Sequence, residues 1–163
     1  MSVKEILLLG NEELYEVSTP INDENIDDLV NDLHDTLMDF RKKYQAGRAI
    51  AAPQIGVKKR LIYMYIDKPI VFINPRLEFI DDELIEVMDD CMSFPDLLVK
   101  VMRYKKCKIK YFDENGKEKE LYFEDDLAEL IQHEYDHLDG ILATMKAIDN
   151  KSFILKGALK WKN

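Results

Sequence analysis

The stretch "KCKIKYFDENGKEKELYFEDDLAELIQHEYDHLDG", residues 106–140, passes from a strand pattern through a turn into a helix start. Cys107, Ile109 and Tyr111 share one face, with Lys106, Lys108 and Lys110 on the other, the period-two pattern of a half-buried strand. "KCKIKYF" and "EKELYF" flank "DENGK", whose Asn115-Gly116 pair suits a tight turn, so residues 106–124 are expected to form a β-hairpin. Cys107 then reads as a small core residue. Acidic residues 124–126 start a helix, with Asp125 or Asp126 as its cap and Gly140 as its stop.

Working outward, Ile26, Leu29, Val30, Leu33, Leu37 and Phe40 recur at three- and four-residue steps, which predicts an amphipathic helix over 24–44. His34 lies beside that stripe, where a boundary histidine is expected. The segments at 60–66, 70–74, 77–80 and 84–88 are short and rich in β-branched and aromatic residues, with Pro69 and Pro75 as breaks. A short final helix is expected over about 148–161. Strands and helices fall into separate blocks, hence an α+β fold. No repeat, low-complexity tract or linker divides residues 1–163, so one domain is expected.

The chain has 163 residues, a formal charge of −9 and 47% hydrophobic residues. That length can bury a sizeable core. The acidic balance argues against direct nucleic-acid readout, which needs a basic face. No apolar run approaches the roughly 20 residues of a membrane span. "MSVKEILLLG" is too short in apolar residues for a signal peptide, and two cysteines give no disulfide framework, so a reducing cytoplasm is the expected location. The tail "KSFILKGALKWKN" carries four lysines and no acid; a solvated helix and a docking element for an anionic partner are both open readings.

Chemistry concentrates in "LIQHEYDHLDG" (130–140). His133 and His137 stand four residues apart, so both imidazoles project from one helical face and can chelate a divalent cation. Glu134 between them can act on a metal-bound water. A catalytic site of this kind needs a third protein ligand, and Cys91 in "DDCMSFPD", after a strand and before a break at Pro95, is the best candidate. In "GRAIAAPQIGV" (47–57), small residues let a ligand approach the backbone, and the Gln54 amide can donate to a developing oxyanion; an ordinary turn is the plain alternative.

Taken together, "GRAIAAPQIG", "DDCMSFP" and "QHEYDH" resemble the three ordered motifs of the peptide deformylases, and "VFINP" (71–75) and the "DENGK" hairpin fit as well. The resemblance covers nearly the whole chain. It implies short antiparallel strands packed around a central helix carrying H-E-x-x-H. It also implies removal of N-terminal formyl groups from new proteins, with Cys91, His133 and His137 holding one metal ion, usually ferrous iron, with zinc or nickel as substitutes. Glu134 would move protons, the Gln54 side chain and the Met92 backbone N–H would meet the oxyanion, and residues 47–50, Gly47, Ala49 and Ile50 among them, would pair with the substrate backbone. The family's role makes an N-formylated nascent chain the expected partner, a monomer the expected state, and a ribosome contact the use of the lysine-bearing tail.

Three residues depart from the family's pattern around the substrate. Ala49 stands where a glycine is usual, Asp90 adds a carboxylate next to Cys91, and Glu129 lies four residues before His133 where an apolar residue is usual. Tolerated drift is one explanation; a pocket for a basic or polar group beside the formyl amide is the other. Two further readings stay open at this point: a deformylase-like protein that binds acylated peptides without turnover, and a metallopeptidase, since H-E-x-x-H also occurs in zincins.

Overall fold

The computed structural model describes residues 2–161; Lys162 and Asn163 of the lysine-bearing tail lie outside the described residues. After a 3-10 turn at Glu12–Tyr15, the apolar stripe of the first helix folds as α1, Asp27–Tyr44. The chain then forms β1 (Ala49–Ala51), a 3-10 turn (Ala52–Ile55), β2 (Leu61–Tyr65), β3 (Pro69–Phe79), β4 (Leu84–Cys91) and β5 (Phe94–Tyr104). The hairpin follows as β6 (Lys106–Phe112) and β7 (Glu118–Glu124), leading into α2 (Asp126–Leu138). A 3-10 turn at Ala143–Lys146, strand β8 (Phe153–Leu155) and a 3-10 helix at Lys156–Trp161 complete the described chain.

Two antiparallel sheets result, one ordered β1-β2-β3-β6-β7 and the other β4-β5-β8. Alternation in β2 explains how the first sheet is covered on both sides. Ile62 and Met64 pack with Phe72, Ile109 and Ile131 under α2, while Leu61 and Tyr63 pack with Leu33, Leu37 and Phe40 of α1. A third cluster (Leu14, Cys91, Phe94, Val99, Val101 and Leu142) holds the second sheet and carries Cys91 at its edge. The α+β class and the central helix expected from sequence are what the fold has.

Several local expectations change. Residues 70–74 and 77–79 belong to one strand, because Pro69 is its first residue and Pro75 falls in a register shift between Ile73 and Arg76; Ile80 lies just past its end. Asn74 bends there at φ 48°, and its side chain exchanges two hydrogen bonds with the Ile21 backbone, at 2.8 and 2.7 Å. Pro95 does not break the chain: Met92-Ser93 is a hairpin turn between Cys91 and Phe94, and β5 begins beside it. The expected final helix is replaced by β8, whose Phe153, Ile154 and Leu155 pair with Val99, Leu98 and Leu97, followed by a 3-10 turn. Neither acid caps α2 with its side chain. Asp125 takes φ 57°, and its carboxylate turns toward Lys105 at 3.6 Å instead.

The hairpin, the buried Cys107 and the half-buried His34 are as the sequence suggested. Burial pushes the Cys107 thiol up to about 11, and His34 Nδ1 lies 2.7 Å from the Tyr63 hydroxyl. Gly140 does end α2, at φ 71°, and an added Cβ would stand 2.4 Å from the Tyr15 carbonyl oxygen. Gly140→Ala therefore meets both left-handed backbone strain and a backbone clash. A loss of about 2–4 kcal/mol is expected in urea unfolding.

Candidate metal centre

Successive turns of α2 bring His133 and His137 to one face, and the end of β4 brings Cys91 opposite them. His133 Nε2 lies 3.2 Å from His137 Nε2, and Cys91 Sγ lies 3.3 Å from the same nitrogen. All three donor atoms fall within 4.8 Å of one another and are buried. A tetrahedral ion bound by one thiolate and two imidazoles spaces its donors by roughly 3.3–3.6 Å, so this set fits a divalent metal with a fourth position free.

Charged groups behind the donors support that fit. Asp89 Oδ2 lies 3.1 Å from His133 Nδ1, within ion-pair distance, while Nε2 faces the centre. Burial opposes a charge on His133, but the Asp89 and Cys91 charges outweigh it and raise its basicity well above normal. Burial and the neighbouring His133 push His137 the other way. Asp89 is in turn fixed by Arg103 at 2.5 Å, and the same guanidinium reaches Asp136 at 2.6 Å. Burial works against ionised Asp89, yet His133 and Arg103 hold its carboxyl well below the usual range.

Glu134 is 5% exposed, and its Oε1 has no hydrogen-bond partner. Burial raises its carboxyl to about 7. Gln54 approaches from the 3-10 turn after β1. Its Oε1 accepts from the Ala51 N–H at 2.9 Å, which turns its NH₂ group toward Cys91 Sγ (3.5 Å) and Ser93 Oγ (3.2 Å). The N-terminal segment fastens both loops, since Leu7 N–H donates to Gln54 O and Leu9 N–H to Ser93 O.

These groups open onto a cavity of about 670 Å³, whose walls include Gly47, Arg48, Ala49, Asp90, Cys91, Met92, Leu130, Glu134 and Lys156. β1 is the outer strand of its sheet there. The Arg48 carbonyl accepts from Tyr65 N–H, so the alternation of the ladder turns the Ala49 backbone toward the open edge. Gly47 takes φ 117° against the ring of Phe40, and its carbonyl is held by Arg41 at 2.9 and 3.0 Å. Ile50 is buried in the α1 cluster rather than in the cavity wall.

The three departures are placed differently from one another. The methyl group of Ala49 packs into the core under α2. Asp90, alternating with Cys91 along β4, points outward to the cavity rim, where Lys156 Nζ lies 3.5 Å away. Glu129 is half-buried beside Asp89, and burial followed by that neighbour raises its carboxyl to about 8; Leu130, not Glu129, reaches the cavity wall. Sequence reasoning passed over Arg48, Asp89, Arg103 and Lys156. Only Asp89 had a local signal, two residues before Cys91 on a strand.

A family model described as polypeptide deformylase matches residues 3–153. The chain is 37% identical to "Peptide deformylase 1" of Prochlorococcus marinus (strain MIT 9313), covering 98% of this chain and 88% of that protein. It is 39% identical to a peptide deformylase of Pseudothermotoga lettingae, over 86% of this chain and 80% of the relative. Among solved structures, the peptide deformylase of Thermotoga maritima superposes with a TM-score of 0.83 at 30% identity, over 91% of this chain and 100% of the other. That of Synechococcus elongatus in complex with actinonin gives 0.80 at 30% identity, over 98% and 85%. With its fold, its buried Cys-His-His set and these matches in agreement, this chain belongs to the polypeptide deformylase family.

Proposed function

We propose that the chain removes a formyl group from the N-terminus of a peptide, giving formate and a free amine. One observation carries this reading: the Cys91 sulfur and two imidazole donors converge behind a cavity that Cys91 and Glu134 line and an open strand edge walls. A divalent ion held by Cys91, His133 and His137 would supply Lewis-acid activation of water and of the formyl carbonyl. Ferrous iron is the proposed ion, with zinc or nickel on the same donors; no helix of the described chain is long and apolar enough to cross a membrane, and a cytoplasmic setting is proposed.

The chain's own groups divide the remaining work. Glu134 accepts the proton of the attacking water and delivers it to the nitrogen as the C–N bond breaks. Gln54 Nε2–H and the Met92 N–H donate to the oxyanion that develops on the formyl oxygen. The open edge at Ala49 aligns the peptide backbone as an added strand. Residues 1–163 are read as one domain and a monomer, and the lysines of the tail as a ribosome contact.

The test is formate release by protein loaded anaerobically with ferrous iron, on peptides carrying an N-terminal formyl group. Catalytic release, with unformylated peptides left uncut, is expected. Cleavage of unformylated peptides, or no formate with one metal bound per chain, would overturn the reading.

A further inference from the structure

A second recess adjoins the cavity. It has a volume of about 340 Å³ and lies between the N-terminal segment and α1. Thr36, Asp39, Phe40, Lys43 and Tyr44 line it from α1, at the three- and four-residue steps of one helical face. Val3, Ile6 and Leu8 line it from the N-terminal segment. Phe40, Tyr44, Met92 and Pro95 belong to the walls of both recesses. Phe40 and Met92 are buried while Tyr44 is 51% exposed, so the two recesses share an apolar floor and meet across an open ridge.

The strand edge leads a peptide toward that ridge. From Ala49 the cavity wall continues through Gly47, Ala46 and Gln45 to Tyr44, where α1 ends. Residues 47–49 align about three residues of an added strand, so the fourth and later ones leave the cavity at the end of α1. From Thr36 to Tyr44 the helix rises about 12 Å, at 1.5 Å per residue, which matches about three to four extended residues at roughly 3.3 Å each.

Hydrogen bonds hold the far wall of this groove in place. Lys4 N–H donates to Thr36 Oγ1 at 2.8 Å, Leu7 N–H to Gln54 O at 2.8 Å and Leu9 N–H to Ser93 O at 2.9 Å. Val3 and Leu8 are 53% and 58% exposed, apolar surface that a bound chain would cover. The charges of Lys4 and Lys43 in the wall are matched by those of Glu5 and Asp39, and Lys43 pairs with Asp39 at 3.0 Å. The groove therefore offers apolar contact and little net charge.

We propose that this groove binds the downstream part of the formylated chain, from about its fourth residue, and selects apolar side chains there. The inference rests on the hydrolytic reading above and extends its substrate beyond the residues that pair with β1. Val3, Leu8 and Tyr44 lose water to the bound side chains, and the fastened wall keeps the cost of ordering low.

Three formyl-methionine peptides provide the test on iron-loaded protein: a tripeptide, and two heptapeptides that extend it with leucine and valine or with glycine and serine. The apolar heptapeptide is expected to have a kcat/KM about tenfold above the tripeptide, through a lower KM, and the glycine-serine one to stay within about twofold of it. Val3→Ser with Leu8→Ser is expected to remove the gain and leave the tripeptide unchanged. Bound metal and the thermal midpoint separate this effect from misfolding, and Leu8→Ser alone gives the same comparison if the double variant is destabilised. Binding of the unformylated heptapeptides to zinc-loaded protein, by calorimetry, gives a readout independent of turnover. The apolar one should bind more tightly, with little change as salt rises. Equal kcat/KM for the two heptapeptides, or a gain kept in the serine variants, overturns the proposal. Absence of formate from all three peptides overturns the hydrolytic reading instead. Binding then decides the groove: a preference for the apolar heptapeptide that the serine variants lose upholds it, and equal affinities overturn it.

Discussion

Glu134→Gln is expected to lower formate release by about 10²–10⁴-fold while leaving the metal in place. The substitution keeps the side chain's size and removes only its ability to take and return a proton. Its neighbours on the helix, His133 and His137, keep their spacing, and neither they nor Cys91 depend on the glutamate for a hydrogen bond. Glu134 is buried, with one oxygen unpaired, so the amide NH₂ or oxygen of glutamine occupies the same volume at small structural cost. Stopped turnover with unchanged metal content and thermal midpoint is the result that assigns proton transfer to this residue. A loss of less than about tenfold would assign the proton to water or to another group.

Arg103→Met is expected to destabilise the chain by about 3 kcal/mol, the lower end of the range for breaking a buried ion pair. Arg103 is 2% exposed and lies between the carboxylates of Asp89 and Asp136. Methionine fills much of the volume but leaves two acids without the cation they share. The loss stays at the lower end because each acid keeps another partner: Asp136 has Lys146 at 3.0 Å, and Asp89 has His133. Asp89 also orients His133, so metal affinity should fall by roughly 10–100-fold along with stability. Urea unfolding of the metal-free protein and competition with a chelator measure the two effects separately. Unchanged metal affinity in a destabilised variant would confine Arg103 to a structural role.

The chemistry of this protein is written locally. Two imidazoles four residues apart share a helical face wherever that helix packs, and Glu134 is bound to the same turn. The hairpin at 106–124 is equally local, because alternation and an Asn-Gly turn specify it without help from the rest of the chain. The N-terminal amphipathic helix was likewise carried by its own stripe.

Other features depended on contacts between distant residues. β8 forms because Phe153–Leu155 finds the edge of β5, and β5 itself was hidden by Pro95 at its start and by Arg103 in a position that faces the core. No periodicity announces a buried arginine; its place is set by Asp89 and Asp136, which burial obliges it to neutralise. Asp125 fails as a cap because Lys105, beside it in the fold, draws its carboxylate away. The same holds at the cavity. Three departures looked alike in sequence, yet packing buries the methyl of Ala49, Lys156 meets Asp90, and Glu129 sits against Asp89. Arg48 carried no signal at all, since its partner Asp126 lies 78 residues away. Sequence by itself determined the candidate donors, the acid between two of them and the helix that carries those three. Only the tertiary structure decided which charges face one another, because electrostatic partners are chosen by proximity in space, which local pattern does not encode.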